Sequence, residues 1–284
     1  MPAVFLKDRA LLSISGAEAQ SFLQNLITTD IISLAPDEAR PGALLTPQGK
    51  ILFDFMIWPD GDGYTIETDT GQRDGLLKRL AMYKLRAAVT LTPRGEEGVT
   101  VSWSEDAEGV QDSQGVRDSR FAKAGVTLIR RPGKHGDGAE ALYDALRISH
   151  GIVTSGSDFA LQDAFPHDVL MDFNGGLSFR KGCYVGQEVV SRMHHRGTAR
   201  RRVVTVSAAT TLPETGTEIT AAGKPVGTLG SVEGDHGLAI VRIDRAGAAM
   251  AAGTPLLAGQ TPVSLVLPEW SGLVFPTSAD EASA

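Results

Sequence analysis

The alternation of apolar and polar residues along this chain changes period several times, and each change marks an element. Residues 51–58 (Ile-Leu-Phe-Asp-Phe-Met-Ile-Trp) read as a strand, and Pro59-Asp60-Gly61-Asp62-Gly63 as the turn into a second strand at 64–68. Further strands are predicted at 87–92, 99–103 and 126–130. Helical spacing predicts a helix over about 16–27, with Phe22, Leu23, Leu26 and Ile27 on one face and Ser15 and Glu18 as a capping box. A second helix is predicted at about 72–85, with Leu76, Leu77, Leu80 and Leu85 as its buried stripe, and a third at about 139–150, closed by Gly151. The polar, acidic segment 104–124 reads as a loop. So 51–150 is expected to be an α+β unit with an antiparallel sheet.

From Arg201 onward the texture shifts to short strands with frequent Gly and Pro, at 202–207, 226–232 and 237–243, which predicts a small β-barrel or sandwich. Pro276 to Ala284 reads as a disordered tail. With 284 residues the chain has material for two or three domains with real cores. A single cysteine excludes an intramolecular disulfide and a self-contained four-cysteine iron–sulfur site. No run is long and apolar enough to span a bilayer, and the first residues carry no signal-peptide pattern, so the expected compartment is the cytoplasm. A net charge of −7 disfavours general nucleic-acid binding.

Three places carry candidate chemistry. Cys183 lies in Lys181-Gly-Cys-Tyr-Val-Gly-Gln-Glu188, with a cation two residues before it and a helix expected to start near Gly186. An inert buried thiol and a reactive or ligand-binding one are both open; the lysine and a helix N-terminus favour the second, because each stabilises a thiolate. In an extended 181–183, Lys181 and Cys183 would share a face. Asp54 is a carboxylate in a strand whose two faces are both apolar, so it needs a donor, either within the protein or on a ligand. The run Arg192 to Arg202 holds five arginines and two histidines, and reads either as solvated surface or as an anion clamp. The spacing of Cys183 from His194 and His195 is poor for zinc, so no metal site is expected. No GxGxxG, GxxxxGK[ST] or GxSxG pattern is present.

The octapeptide 181–188 resembles the signature of the YgfZ family, folate-binding proteins of iron–sulfur enzyme maturation related to the glycine-cleavage T-protein, an aminomethyltransferase. Phe22–Asp30, Leu44–Asp54, Tyr83–Val89 and Arg192–Arg202 resemble further blocks of that family. The resemblance implies an α+β, three-domain aminomethyltransferase-like fold: a folate-binding domain from 1–50 and about 140–200, a ferredoxin-like part over about 51–139, and a C-terminal β-barrel over about 201–284. It implies tetrahydrofolate or a one-carbon derivative as cofactor, and iron–sulfur client or assembly proteins as partners. Cys183 and Lys181 become the candidate reactive pair. Asp54, Arg86, Arg147, Tyr184, Gln187 and Glu188 become candidate cofactor contacts, with Arg86, Arg147 and Lys181 as a basic rim for a polyglutamate tail. One departure stands out: relatives carry Arg-x-Glu-x-Gly after the central helix, and Arg147-Ile-Ser149-His-Gly151 has serine there. A folate-dependent aminomethyltransferase is the competing reading, and an RNA-associated protein using the 192–202 arginines a third.

Overall fold

The computed structural model describes residues 1–104 and 114–277, and the chain divides into two compact units. The first comprises Met1–Pro47, Ile51–Tyr143 and Asn174–Gln187; the second comprises Gln48–Lys50, Asp144–Phe173 and Glu188–Ala284.

The first unit is built on strands β1 (Ala3–Ser15), β2 (Glu38–Leu45), β3 (Ile51–Asp60), β4 (Gly63–Asp69), β5 (Thr90–Ser104), β6 (Val116–Asp118) and β7 (Thr127–Pro132). They close into a barrel in the order β1-β4-β3-β2-β6-β7-β5. All pairings are antiparallel except β2 with β6. Helices α1 (Ala19–Gln24), α2 (Thr70–Lys84) and α3 (Ser119–Lys123) join them. Alternation in β3 works as the sequence predicts: Phe53, Phe55 and Ile57 pack on one core cluster, and Met56 and Trp58 on another.

Several local expectations are corrected. Ser15 ends β1 rather than capping a helix, and α1 is confined to 19–24; the Glu18 carboxylate accepts from the Ala88 N–H at 2.6 Å instead of closing a capping box. Leu76 and Leu80 are buried as the stripe requires, but Leu85 lies beyond α2 and is 88% exposed. The two strands expected at 87–92 and 99–103 are one strand, β5. Of the predicted loop 104–124, residues 105–113 lie outside the described residues, and 116–123 form β6 and α3.

Strands β1 and β2 lie outside the predicted set, for identifiable reasons. Lys7-Asp8-Arg9 breaks the alternation of β1; register shifts near Ala10 absorb it, and Arg9 donates to Glu67 at 2.7 Å. In β2, Arg40-Pro41-Gly42 reads as a turn. Gly42 is there because a Cβ would come 2.5 Å from Thr29 Oγ1 and 2.8 Å from the Phe55 ring. Close approach, not turn-making, fixes that glycine.

Helices α4 (Glu140–Ser149) and α5 (Gln187–His195) precede the second unit's barrel. That barrel is made of β8 (Arg201–Ala208), β9 (Glu218–Ala221), β10 (Lys224–Glu233), β11 (His236–Arg242), β12 (Leu256–Ala258) and β13 (Thr261–Val266), with α6 (Ile243–Ala251) after β11. It closes in the order β10-β11-β8-β13-β12-β9 around Val204, Val206, Ile219, Leu229, Val241 and Leu265. Of the two architectures predicted for this part, the barrel is the one present. The predicted tail falls largely on 278–284, outside the described residues.

Candidate functional site

The signature octapeptide is held by a set of bonds to the segment after α1. Thr28 Oγ1 donates to the Gly176 carbonyl at 2.6 Å, and the Ser178 N–H donates to the Thr28 carbonyl at 3.0 Å. Lys181 Nζ donates to the carbonyls of Ile27 at 2.7 Å and Thr29 at 2.8 Å. Its ammonium lies 5.2 Å from the Tyr184 ring centroid. Lys181 and Tyr184 are buried, and Val185 packs on the first unit's main core. Between these anchors Gly182 and Cys183 are exposed. The loop is therefore pinned on both sides of a thiol that faces outward. Gly186, at φ 79°, then lets the chain turn into α5.

This geometry revises the expected pairing of Lys181 with Cys183. The lysine faces inward and the cysteine outward, so they do not share a face. Burial lowers the Lys181 ammonium to about 8, with Asp30 partly opposing the shift. Its work is to tie two backbone carbonyls. Gln187 is occupied locally: its Oε1 accepts from the Tyr184 N–H at 3.3 Å. Glu188 pairs with Arg192 one turn along α5, at the exposed surface. Tyr184 donates to the Ser178 carbonyl at 3.4 Å, and burial raises its hydroxyl above the usual tyrosine range.

Asp54 is half-buried in β3, opposite Ala43 of β2. Gln72, in the first turn of α2, meets it at two points: Nε2 donates to Asp54 Oδ1 at 2.9 Å, and Oε1 accepts from the Asp54 N–H at 3.2 Å. The carboxylate is thus oriented by the side-chain amide of Gln72. A half-buried acceptor of this kind suits the adjacent N–H groups of a reduced pterin. Arg86 is exposed. Arg147, by contrast, forms no rim: it is buried in the second unit, where it donates to Asp144 at 2.6 Å, Asp158 at 2.8 Å and Ser231 at 2.7 Å. Ser149 turns its hydroxyl back to the Leu146 carbonyl at 2.8 Å, as a serine near a helix end commonly does. Ser149 supplies no carboxylate at the position where the resemblance expects a glutamate.

Two polar clusters escape a reading by motif. In the first barrel, Glu67 is fully buried and receives Arg130 Nε at 2.7 Å and Arg9 Nε at 2.7 Å, while Arg130 also reaches Asp118 at 2.8 Å. Burial pushes the Glu67 carboxyl up, but the two guanidinium groups outweigh it and bring it down to about 2. In the second unit, Arg202 pairs with Asp172 at 3.0 Å and donates to the His167 carbonyl. Arg201 Nε lies 3.7 Å from Asp168. Burial still lifts Asp172 to about 6 against the pull of Arg202, and burial with Arg202 and His194 lowers His167 to about 3. Part of the 192–202 run is therefore internal ion pairing. Arg192, His194, Arg196 and Arg200 remain at the surface. Among the described residues no group of three or more His, Cys, Asp or Glu side chains is arranged to hold a metal ion.

The architecture defines a class. Its fold is that of the aminomethyltransferase T-proteins with a C-terminal β-barrel: a solved glycine cleavage system aminomethyltransferase T from Bartonella henselae superposes with a TM-score of 0.68 at 16% identity, over 94% of this chain and 85% of that one. Residues 200–273 match the C-terminal β-barrel domain of CAF17. Sequence relatives narrow the class. The mitochondrial iron–sulfur cluster assembly factor IBA57 of Homo sapiens is 31% identical over 83% of this chain and 76% of its own length. Homologues of that factor from Pyricularia oryzae and Coccidioides immitis are each 34% identical, over 70% and 72% of this chain. The chain belongs to the IBA57 family. It spans 55% and 56% of the two fungal relatives. All three relatives are named as mitochondrial, which overturns the cytoplasmic expectation.

Proposed function

We propose that this chain is an accessory factor in iron–sulfur cluster assembly that presents Cys183 to a cluster held by a partner protein. The observation that carries the reading is the exposed thiol on a loop pinned at Lys181 and Tyr184. One cysteine cannot hold a cluster alone. It can complete a partner's ligand set: the thiol gives up its proton and the sulfur binds iron. The cluster is then cargo, and the names of the relatives fit that role. In cells lacking the chain, wild type should restore a cluster-dependent enzyme and Cys183→Ser should not, at equal protein level. Full restoration by Cys183→Ser removes the thiol from the function.

We further propose reduced folate as the ligand of the T-protein-like part, with Asp54, held by Gln72, as its acceptor. When bound, the folate would supply a one-carbon carrier or a pterin that senses one-carbon status. Calorimetric titration with tetrahydrofolate should show at least tenfold weaker binding for Asp54→Asn; equal affinity takes Asp54 out of the site. Aminomethyl transfer is a reading that the fold alone favours, and turnover of a lipoyl-bound aminomethyl substrate would establish it.

A further inference from the structure

Helix α2 ends in a turn that its sequence does not favour. The Ala87 N–H donates to the Lys84 carbonyl at 2.8 Å, and Leu85 stands inside this turn at φ 45° and ψ −105°. Those angles belong to the first central position of a type II′ turn, where glycine dominates because a β-carbon is crowded there. Leu85 recovers nothing by packing, since it is 88% exposed. Met82, in the last turn of α2, is 61% exposed. A large apolar side chain held at a strained turn and offered to water is a feature of binding surfaces.

The charge around it has one sign. From Gly75 to Thr92 the chain carries Lys78, Arg79, Lys84 and Arg86 and no Asp or Glu, within a protein of net charge −7. None of these four cations forms an ion pair among the described residues. The expected occupant is therefore anionic and has an apolar pocket as well. A folate polyglutamate tail meets only the first condition; a protein surface meets both.

We infer that the α2 tip, Met82 to Arg86, is a docking point for an acidic protein surface whose pocket receives Leu85. Resting on the cluster-assembly reading above, that protein is the iron–sulfur carrier whose cluster Cys183 engages. Tyr83 and Ala87 at the tip and Val185 beside the thiol loop all pack on the same core cluster, so both features belong to one unit.

The test uses the full chain, a purified holo iron–sulfur carrier from the same organism, and tetrahydrofolate pentaglutamate as the competing anion. Leu85→Gly should raise the melting temperature by about 2–4 °C, because glycine accepts the turn, and yet weaken carrier binding at least tenfold. Arg86→Glu should weaken carrier binding by a similar factor, and added salt should weaken the wild-type complex. Carrier affinity unchanged in both variants overturns the inference, as does a wild-type chain that fails to bind the carrier. Loss of pentaglutamate binding with carrier binding intact assigns the tip to the folate tail and overturns it too. The role of Cys183 is judged separately, by Cys183→Ser in cells.

Discussion

Lys181 and Cys183 are two residues apart and do opposite things. The lysine is spent on two backbone carbonyls, and the cysteine is left to the solvent. Removing the ammonium with Lys181→Met should leave those carbonyls without a donor, at a cost of about 1–3 kcal/mol at neutral pH; a urea midpoint would measure it. The pH dependence has a definite sign. Because burial lowers the folded ammonium from 10.5 to about 8, the unfolded state binds more protons between those values. Stability from this group therefore rises as pH climbs from about 8 to 10.5, and Lys181→Met should lack that rise. A flat difference between the two proteins across that window would contradict the burial argument. At this scale the sequence is a partial guide. It marks 181–188 as unusual, but the socket for Lys181 is made of the carbonyls of Ile27 and Thr29, about 150 residues earlier, and no local pattern connects them. Arg147 shows the same limit, since only folding reveals Asp158 and Ser231 as its partners.

Among elements, the first barrel depends on a charged group where a strand normally buries an apolar one. Glu67 of β4 is met by Arg9 of β1 and Arg130 of β7, so one carboxylate ties three strands. Glu67→Gln would leave Arg9 without its anion and Arg130 with Asp118 alone, and a loss of about 3–5 kcal/mol is expected from chemical unfolding. The folded carboxyl lies near 2 against 4.5 unfolded. Its contribution is complete above about 4.5 and is lost as pH falls toward 2, so the variant should show a weaker acid dependence over that window. Identical acid transitions would refute this. The elements were legible where one rule governed them: β3 alternates cleanly, and the turn at 59–63 joins it to β4. They were hidden where two rules conflict. Arg9 interrupts β1 because it serves Glu67, and Gly42 suits a turn by composition but serves a close approach to Thr29 and Phe55.

For the whole molecule, the fold and the family are settled by comparison, while the chemistry rests on one sulfur atom. A chain with a single cysteine, incubated alone with ferrous iron and sulfide, should give no stoichiometric cluster absorbance; a stable cluster on the isolated chain would contradict the proposed division of ligands. The most direct measurement is the alkylation rate of Cys183 by iodoacetamide in the native protein, with and without a holo iron–sulfur carrier. An outward-facing thiol should give complete single-site modification of the free chain, and strong protection once the cluster-bearing partner is present. An unreactive thiol in the native chain, or the same rate in both samples, would contradict the proposed role of Cys183.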